Sequence, residues 1–146
     1  MRAGFKRRVS WFAAVGATVA VAFVLGGGSQ ANATATGCSS FGSIVIKGIP
    51  IYSGSYCAKI TGSGTYVSSV AGEFASGGNI CNSTVTAEFF DSTGKWYKTY
   101  TSPLAKGCSR KRKATISINK RMSVGRMCST LKTNGSRITS VCHSIF

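Results

Sequence analysis

Acidic side chains are nearly absent from this chain: Glu73, Glu88 and Asp91 are the only three in 146 residues, and His143 is the single histidine. That shortage removes most acid-base chemistry. A Ser-His-Asp arrangement can be written from His143, Asp91 and any of many serines, but no G-x-S-x-G elbow surrounds one of them. Paired-carboxylate hydrolysis needs two of the three acids in one cleft, and Glu88 and Asp91 flank a stretch that reads as a turn. A basic ribonuclease resting on His143 with Glu73 or Glu88 and a lysine can be drawn, yet no motif accompanies it. The chain is therefore read as non-enzymatic and without a cofactor. No C-x-x-C pair occurs and histidine stands alone, which argues against a zinc site. Helical periodicity is missing from 38–100, where glycine, serine and β-branched residues crowd out any 3.6-residue repeat.

What is present begins with a leader. Arg2, Lys6, Arg7 and Arg8 precede an almost unbroken apolar run over 9–25, and a small polar stretch ends in Ala31-Asn32-Ala33. This is the layout of a secretory signal peptide over 1–33 with an A-x-A cleavage site. A membrane anchor is the alternative, since 17 residues is near the lower limit for a span; the small-residue site directly after the run favours cleavage. Arg7-Arg8 also admits twin-arginine export beside the general route. A lipoprotein anchored at Cys38 fits poorly, because that cysteine lies well beyond the apolar run.

With 1–33 removed, 113 residues remain, enough for one domain. Four of the eighteen basic residues leave with the leader, so fourteen face three acids, a net charge of +11. Such an excess favours anionic partners: cell-surface polymers, lipid head groups or an acidic protein face. For an exported protein, intracellular nucleic acid drops down that order. All six cysteines (Cys38, Cys57, Cys81, Cys108, Cys128, Cys142) follow the leader, and an even count in a small exported domain points to three disulfides.

The clearest local signal is a hairpin between Cys81 and Cys108. Residues 83–90 (S-T-V-T-A-E-F-F) place Val85, Ala87 and Phe89 on one face and Thr84, Thr86 and Glu88 on the other. Asp91-Ser92-Thr93-Gly94 turns the chain. Residues 95–100 return with Trp96, Lys98 and Tyr100 on one side, Tyr97 and Thr99 on the other. Elsewhere, strands are predicted over 56–60, over 65–74 with an interruption at Gly72, and over 114–118, where Ala114, Ile116 and Ile118 alternate with polar residues. Residues 75–79 are read as a turn.

A last hairpin over 126–143 surrounds Asn134-Gly135. A two-residue turn there opposes Cys128 to Val141, whereas a three-residue 134–136 loop brings Cys128 opposite Cys142, so that disulfide predicts the longer, bulged loop. Proximity pairs Cys81 with Cys108 and Cys38 with Cys57, although six cysteines permit 15 connectivities. Seven or eight short strands make a small disulfide-stabilised all-β fold, a β-sandwich of immunoglobulin-like kind in preference to a barrel. Its expected core holds Val85, Phe89, Ile116, Ile118, Leu131 and Ile138. The domain proper spans 52–146.

Ahead of it, residues 34–51 form an extended N-terminal arm in which Phe41, Ile44, Val45, Ile46, Ile49 and Ile51 supply apolar side chains. Two readings stand for the arm: an ordinary first strand, or a strand that completes a partner's sheet. The run Arg110, Lys111, Arg112 and Lys113 likewise has two readings. It is an anionic-partner patch, with Trp96, Tyr97 and Tyr100 as stacking groups if the ligand were nucleic acid, or it is a solvated edge that blocks aggregation. The solvated face or an acidic protein ranks ahead of nucleic acid. Asn82-Ser83-Thr84 and Asn134-Gly135-Ser136 match glycosylation sequons. The positive charge follows no amphipathic helix, so stable membrane insertion is not expected, while attachment to an anionic cell surface is.

The signal peptide, the hydrophobic arm at 38–51, six dispersed cysteines in a strand-rich domain and the ending Cys142-His143-Ser144-Ile145-Phe146 resemble a small secreted actinobacterial protein. In layout the chain is similar to the adaptor subunits of the umbrella toxin particles of Streptomyces. The resemblance implies a non-enzymatic linker between a lectin-type subunit and a large ring-and-stalk toxin subunit, in an extracellular complex aimed at competing bacteria. Ile44, Val45 and Ile46 would then belong to the docking element.

Overall fold

The computed structural model describes residues 34–146; the predicted signal peptide, 1–33, and its arginine pair lie outside the described residues. Among the described residues the chain is all-β. In order the strands are β1 (Ala35–Phe41), β2 (Ile44–Ile46), β3 (Ile49–Ile51), β4 (Gly54–Ser63), β5 (Tyr66–Asp91), β6 (Trp96–Thr101), β7 (Ala105–Arg121), β8 (Gly125–Thr133) and β9 (Ser136–Ile145). Seven of them form one antiparallel sheet, and β2 pairs only with β3.

The sheet curls on itself because β5 serves two layers. Its first half pairs with β4 on one side and β7 on the other, while its second half pairs with β8 and β6. With β1 outside β4 and β9 outside β8, two four-stranded layers face one another in a sandwich-like fold. Hydrogen bonds cross between them: the Tyr56 and Ser129 hydroxyls lie 2.6 Å apart, and those of Ser39 and Thr139 3.1 Å. Gly37 on β1 sits where any side chain would strike Val141 and His143 of β9, so β1 is pressed against the opposite layer.

The expected break at 75–79 does not separate two strands. Ala75 pairs with Lys111 and Ile80 with Ser109, so Ser76-Gly77-Gly78-Asn79 bulge out of one continuous, bent β5 of 26 residues. The physical reason is the pair of glycines. They let the extra backbone fold outward while the strand keeps its direction, and the Tyr52 ring lies so close over Gly78 that a Cβ there would collide with it. Asn82, at φ 46°, completes the bend, and Cys81 beside it is bonded to Cys108.

All three disulfides join residues directly opposed on neighbouring strands: Cys38 with Cys57, Cys81 with Cys108 and Cys128 with Cys142. The last of these does not use the three-residue loop. Thr133 opposes Ser136 across a two-residue turn with both Asn134 (φ 47°) and Gly135 (φ 78°) left-handed, the geometry that follows the twist of a hairpin. The extra residue is taken up higher in the ladder, where Lys132 opposes Arg137 and Leu131 opposes Thr139. Ile138 is the bulge residue.

The core follows the alternation of the strands. Val85, Phe89, Ile116, Ile118 and Leu131 are buried as expected, joined by Tyr56, Ile60, Val67, Val70, Phe74 and Met127. Ile138 only leans on the core from its bulge. In β6 a further bulge breaks the expected alternation: Phe89 opposes Lys98 and Phe90 opposes Trp96, which leaves Tyr97 unpaired in the ladder. Tyr97 and Tyr100 both turn to Phe89, with ring centroids 6.4 and 5.9 Å away. Trp96 and Lys98 stay outside.

Candidate functional site

The most exposed apolar surface of the described residues lies in the β2–β3 hairpin. Ile-Val-Ile and Ile-Pro-Ile flank Lys47-Gly48, which turn the chain with φ of 50° and 79°. Opposed residues share a face, so Ile44, Ile46, Ile49 and Ile51 line one side, Val45 and Pro50 the other. Ile51 is 1% exposed and roots the hairpin in the core, whereas Val45 is 72% exposed and Ile44, Ile49 and neighbouring Tyr52 are also open to solvent. Polar contacts hold it in place. The Ser53 N–H donates to Ser43 Oγ at 3.2 Å, the Gly77 N–H to the Ser53 carbonyl at 2.9 Å, and Lys47 Nζ to the Asn134 carbonyl at 3.2 Å.

Residues 34–51 are thus not extended as one arm. Strand β1 pairs along its whole length with β4 of the same chain and carries the Cys38–Cys57 bond, which is the arrangement of an ordinary first strand. Phe41 at its end is buried. Only the hairpin stands out from the sandwich; on its isoleucine side Ile51 is buried and Ile46 half-buried while Ile44 and Ile49 stay partly open, and Val45 on the other side is open to solvent. The hairpin itself escaped the sequence reading; the signal for it is a Lys-Gly pair between two short runs of β-branched residues.

The basic run lies in the edge strand β7, and strand alternation disperses it. Lys111 and Lys113 point outward, Lys111 Nζ lying 3.1 Å from Glu73 Oε1 and Lys113 opposing Glu73 across the ladder. Arg112 turns inward and its Nη1 donates to the Ala105 carbonyl at 2.9 Å. Arg110 is exposed opposite the β5 bulge. The structure therefore does not gather the four into one patch. It does bring Lys113 and Lys59 to the rim of a shallow cleft of about 170 Å³ with Thr36, Cys57, Ala71 and Glu73. Trp96, the remaining exposed aromatic of the predicted stacking group, stands on the other layer.

Nor does the structure bring the titratable residues together. Glu73 is on the outer face of the first layer, and Glu88 lies 3.9 Å from Lys132 on the outer face of the second. Asp91 holds the β5–β6 turn; the Thr93 hydroxyl and then the backbone N–H groups of Lys95 and Thr93 keep its carboxyl below the usual carboxylate range. His143 is half-buried between layers, with Nε2 3.2 Å from the Ala58 carbonyl. The two sequon asparagines meet: Asn82 Nδ2 donates to Asn134 Oδ1 at 2.9 Å.

No protein family matches the chain, and neither does any curated protein or solved structure. Three disulfides in so small a domain fit an oxidising or extracellular environment, and among the described residues no helix is long and apolar enough to cross a membrane.

Proposed function

We propose that this chain is a secreted, non-enzymatic adaptor that binds other secreted proteins through the β2–β3 hairpin and links subunits of an extracellular antibacterial toxin complex. The observation that carries the reading is a short hairpin, rooted at the buried Ile51, that leaves Ile44 and Ile49 partly open on one side, Val45 open on the other and Tyr52 exposed at its base. Apolar area left in water costs about 25 cal/mol per Å², which a protein partner recovers on covering it. A free two-stranded hairpin is barely stable in water, so the contacts from Ile51, Ser53 and Lys47 present a preformed shape at low entropic cost. The partners implied by the resemblance are a lectin-type subunit and a ring-and-stalk toxin subunit, and the six-cysteine sandwich is the spacer between them.

A second reading is favoured by Lys59, Lys111 and Lys113 on one outer face: a free-standing cationic antimicrobial or cell-surface-binding protein. Salt separates the two. Tagged protein recovered from its native culture medium at moderate salt brings large secreted partners in fixed ratio if the hairpin docks them, and Val45→Asp loses them. Recovery of a lone monomer whose binding to cells vanishes with rising salt overturns the adaptor reading.

A further inference from the structure

At the end of the second layer remote from the hairpin, one row of opposed residues runs Trp96, Phe90, Arg126 across β6, β5 and β8, all on the outer face. Trp96 is 56% exposed, and its indole N–H donates to Thr99 Oγ1 at 2.9 Å, which fixes the ring on a rigid strand. The Arg126 guanidinium lies over the Phe90 ring, 4.9 Å from its centroid. Beside them the β5–β6 turn and the start of β8 enclose an open depression of about 390 Å³ lined by Asp91, Ser92, Thr93, Gly94, Gly125 and Arg126.

We propose that this row and depression form a saccharide-binding site, with the apolar C–H face of a pyranose ring on Trp96 and its hydroxyls shared between Asp91, Thr93 and Arg126. A sugar is apolar on the faces of its ring and rich in donors and acceptors at its rim. It calls for an aromatic platform next to groups that both donate and accept. Here Arg126 donates only, the Thr93 hydroxyl, whose proton goes to Asp91, accepts, and the Ser92 hydroxyl can do either. Asp91 Oδ1 is taken by Thr93 and Lys95, and Oδ2 has no hydrogen-bond partner among the described residues. Asp91 and Arg126 offset one another in the lining, with the Lys95 charge beside Asp91 in the same turn, so the depression gathers no cluster of cations and fits a neutral saccharide better than a polyanion. The site lies roughly 26 Å from the Asn134 turn that the hairpin touches, from the eight-residue step between Gly125 and Thr133 at about 3.3 Å each. Protein docking and sugar binding can therefore occur together.

Trp96 and Trp11 are the only tryptophans, so once residues 1–33 are removed the fluorescence of the secreted protein reports Trp96 alone. Titration with neutral oligosaccharides of glucose, galactose and N-acetylglucosamine at physiological salt is expected to give a saturable shift with at least one of them. Arg126→Gln weakens it tenfold or more. Trp96→Ala, followed by calorimetry and with its fold checked by circular dichroism, loses binding to a similar degree, whereas Lys113→Gln leaves it unchanged. The proposal is overturned if none of the oligosaccharides produces a saturable response, if Trp96→Ala or Arg126→Gln binds like the parent, or if only polyphosphate responds and salt abolishes it.

Discussion

At the scale of single residues, Tyr56 and Asp91 show how the fold fixes its polar groups. The Tyr56 side chain is fully buried beneath the second layer, and burial pushes its hydroxyl up to about 12, with the Ser129 hydrogen bond pulling the other way. Because the folded value lies above the unfolded one, near 10, the stability this confers is complete below pH 10 and is lost as the pH rises toward 12. Tyr56→Phe strands the Ser129 hydroxyl in the core and is expected to cost about 1–3 kcal/mol at pH 7, while flattening the loss between pH 10 and 12; urea unfolding at pH 7 and pH 11 reads both. Asp91 has the opposite sign. Its depressed carboxyl holds the turn above the ordinary carboxylate value, and that hold is lost as the pH falls through the lowered one. Amide exchange at Thr93 and Lys95 should quicken there before the neighbouring strands respond. The turn role of Asp91 was legible in the sequence, since Asp before Ser-Thr-Gly bonds its own backbone. The layer-crossing bond of Tyr56 was not, because it joins residues 73 positions apart.

At the scale of elements, the periodicity of 83–90 and 114–118 was enough to place strands and four of the six core candidates, and the last hairpin supplied a fifth, Leu131. Periodicity does not mark bulges. The glycines at 77 and 78 read as a turn because glycine permits both a chain reversal and a bulge, and only the pairing of Ala75 and Ile80 along one partner strand decides between them. Ile138 shows the same ambiguity: the Cys128–Cys142 bond requires one extra residue in the hairpin, and sequence does not say whether the turn or the ladder takes it up. The observed two-residue turn leads to a direct expectation. Gly135→Ala places a Cβ at φ 78° and is expected to cost about 1–2 kcal/mol, read by thermal or urea unfolding, while the Cys128–Cys142 bond still forms. An unchanged stability would mean that the turn is longer than two residues. For the candidate site, the apolar residues of 44–51 were visible from composition, but their division into a rooted face and an open face was not. That division depends on which side of the hairpin meets the sandwich.

At the scale of the whole molecule, three cross-strand disulfides staple separate parts of the sheet: β1 to β4, the β5 bend to β7, and β8 to β9. The Cys81–Cys108 bond closes the longest loop, 27 residues of separation against 19 and 14, so its loss should be the most damaging of the three. Replacing both cysteines with serine is expected to lower the unfolding free energy by about 3.5 kcal/mol, against about 3 kcal/mol for Cys128 and Cys142, in urea titrations of the oxidised proteins. The hairpin should be indifferent to such changes in one respect: Val45→Asp replaces an exposed residue and is expected to leave the unfolding midpoint within about 0.5 kcal/mol of the parent. Stability and docking are thereby separable. The most direct test of docking is hydrogen exchange on the protein recovered from its culture medium, compared with the same protein freed of whatever accompanies it. The adaptor reading expects amides of 44–51 to be protected in the recovered complex and exposed in the free chain, with the outer face of β7 unchanged. Protection confined to β7 around Lys111 and Lys113, with the hairpin exchanging alike in both samples, would contradict it.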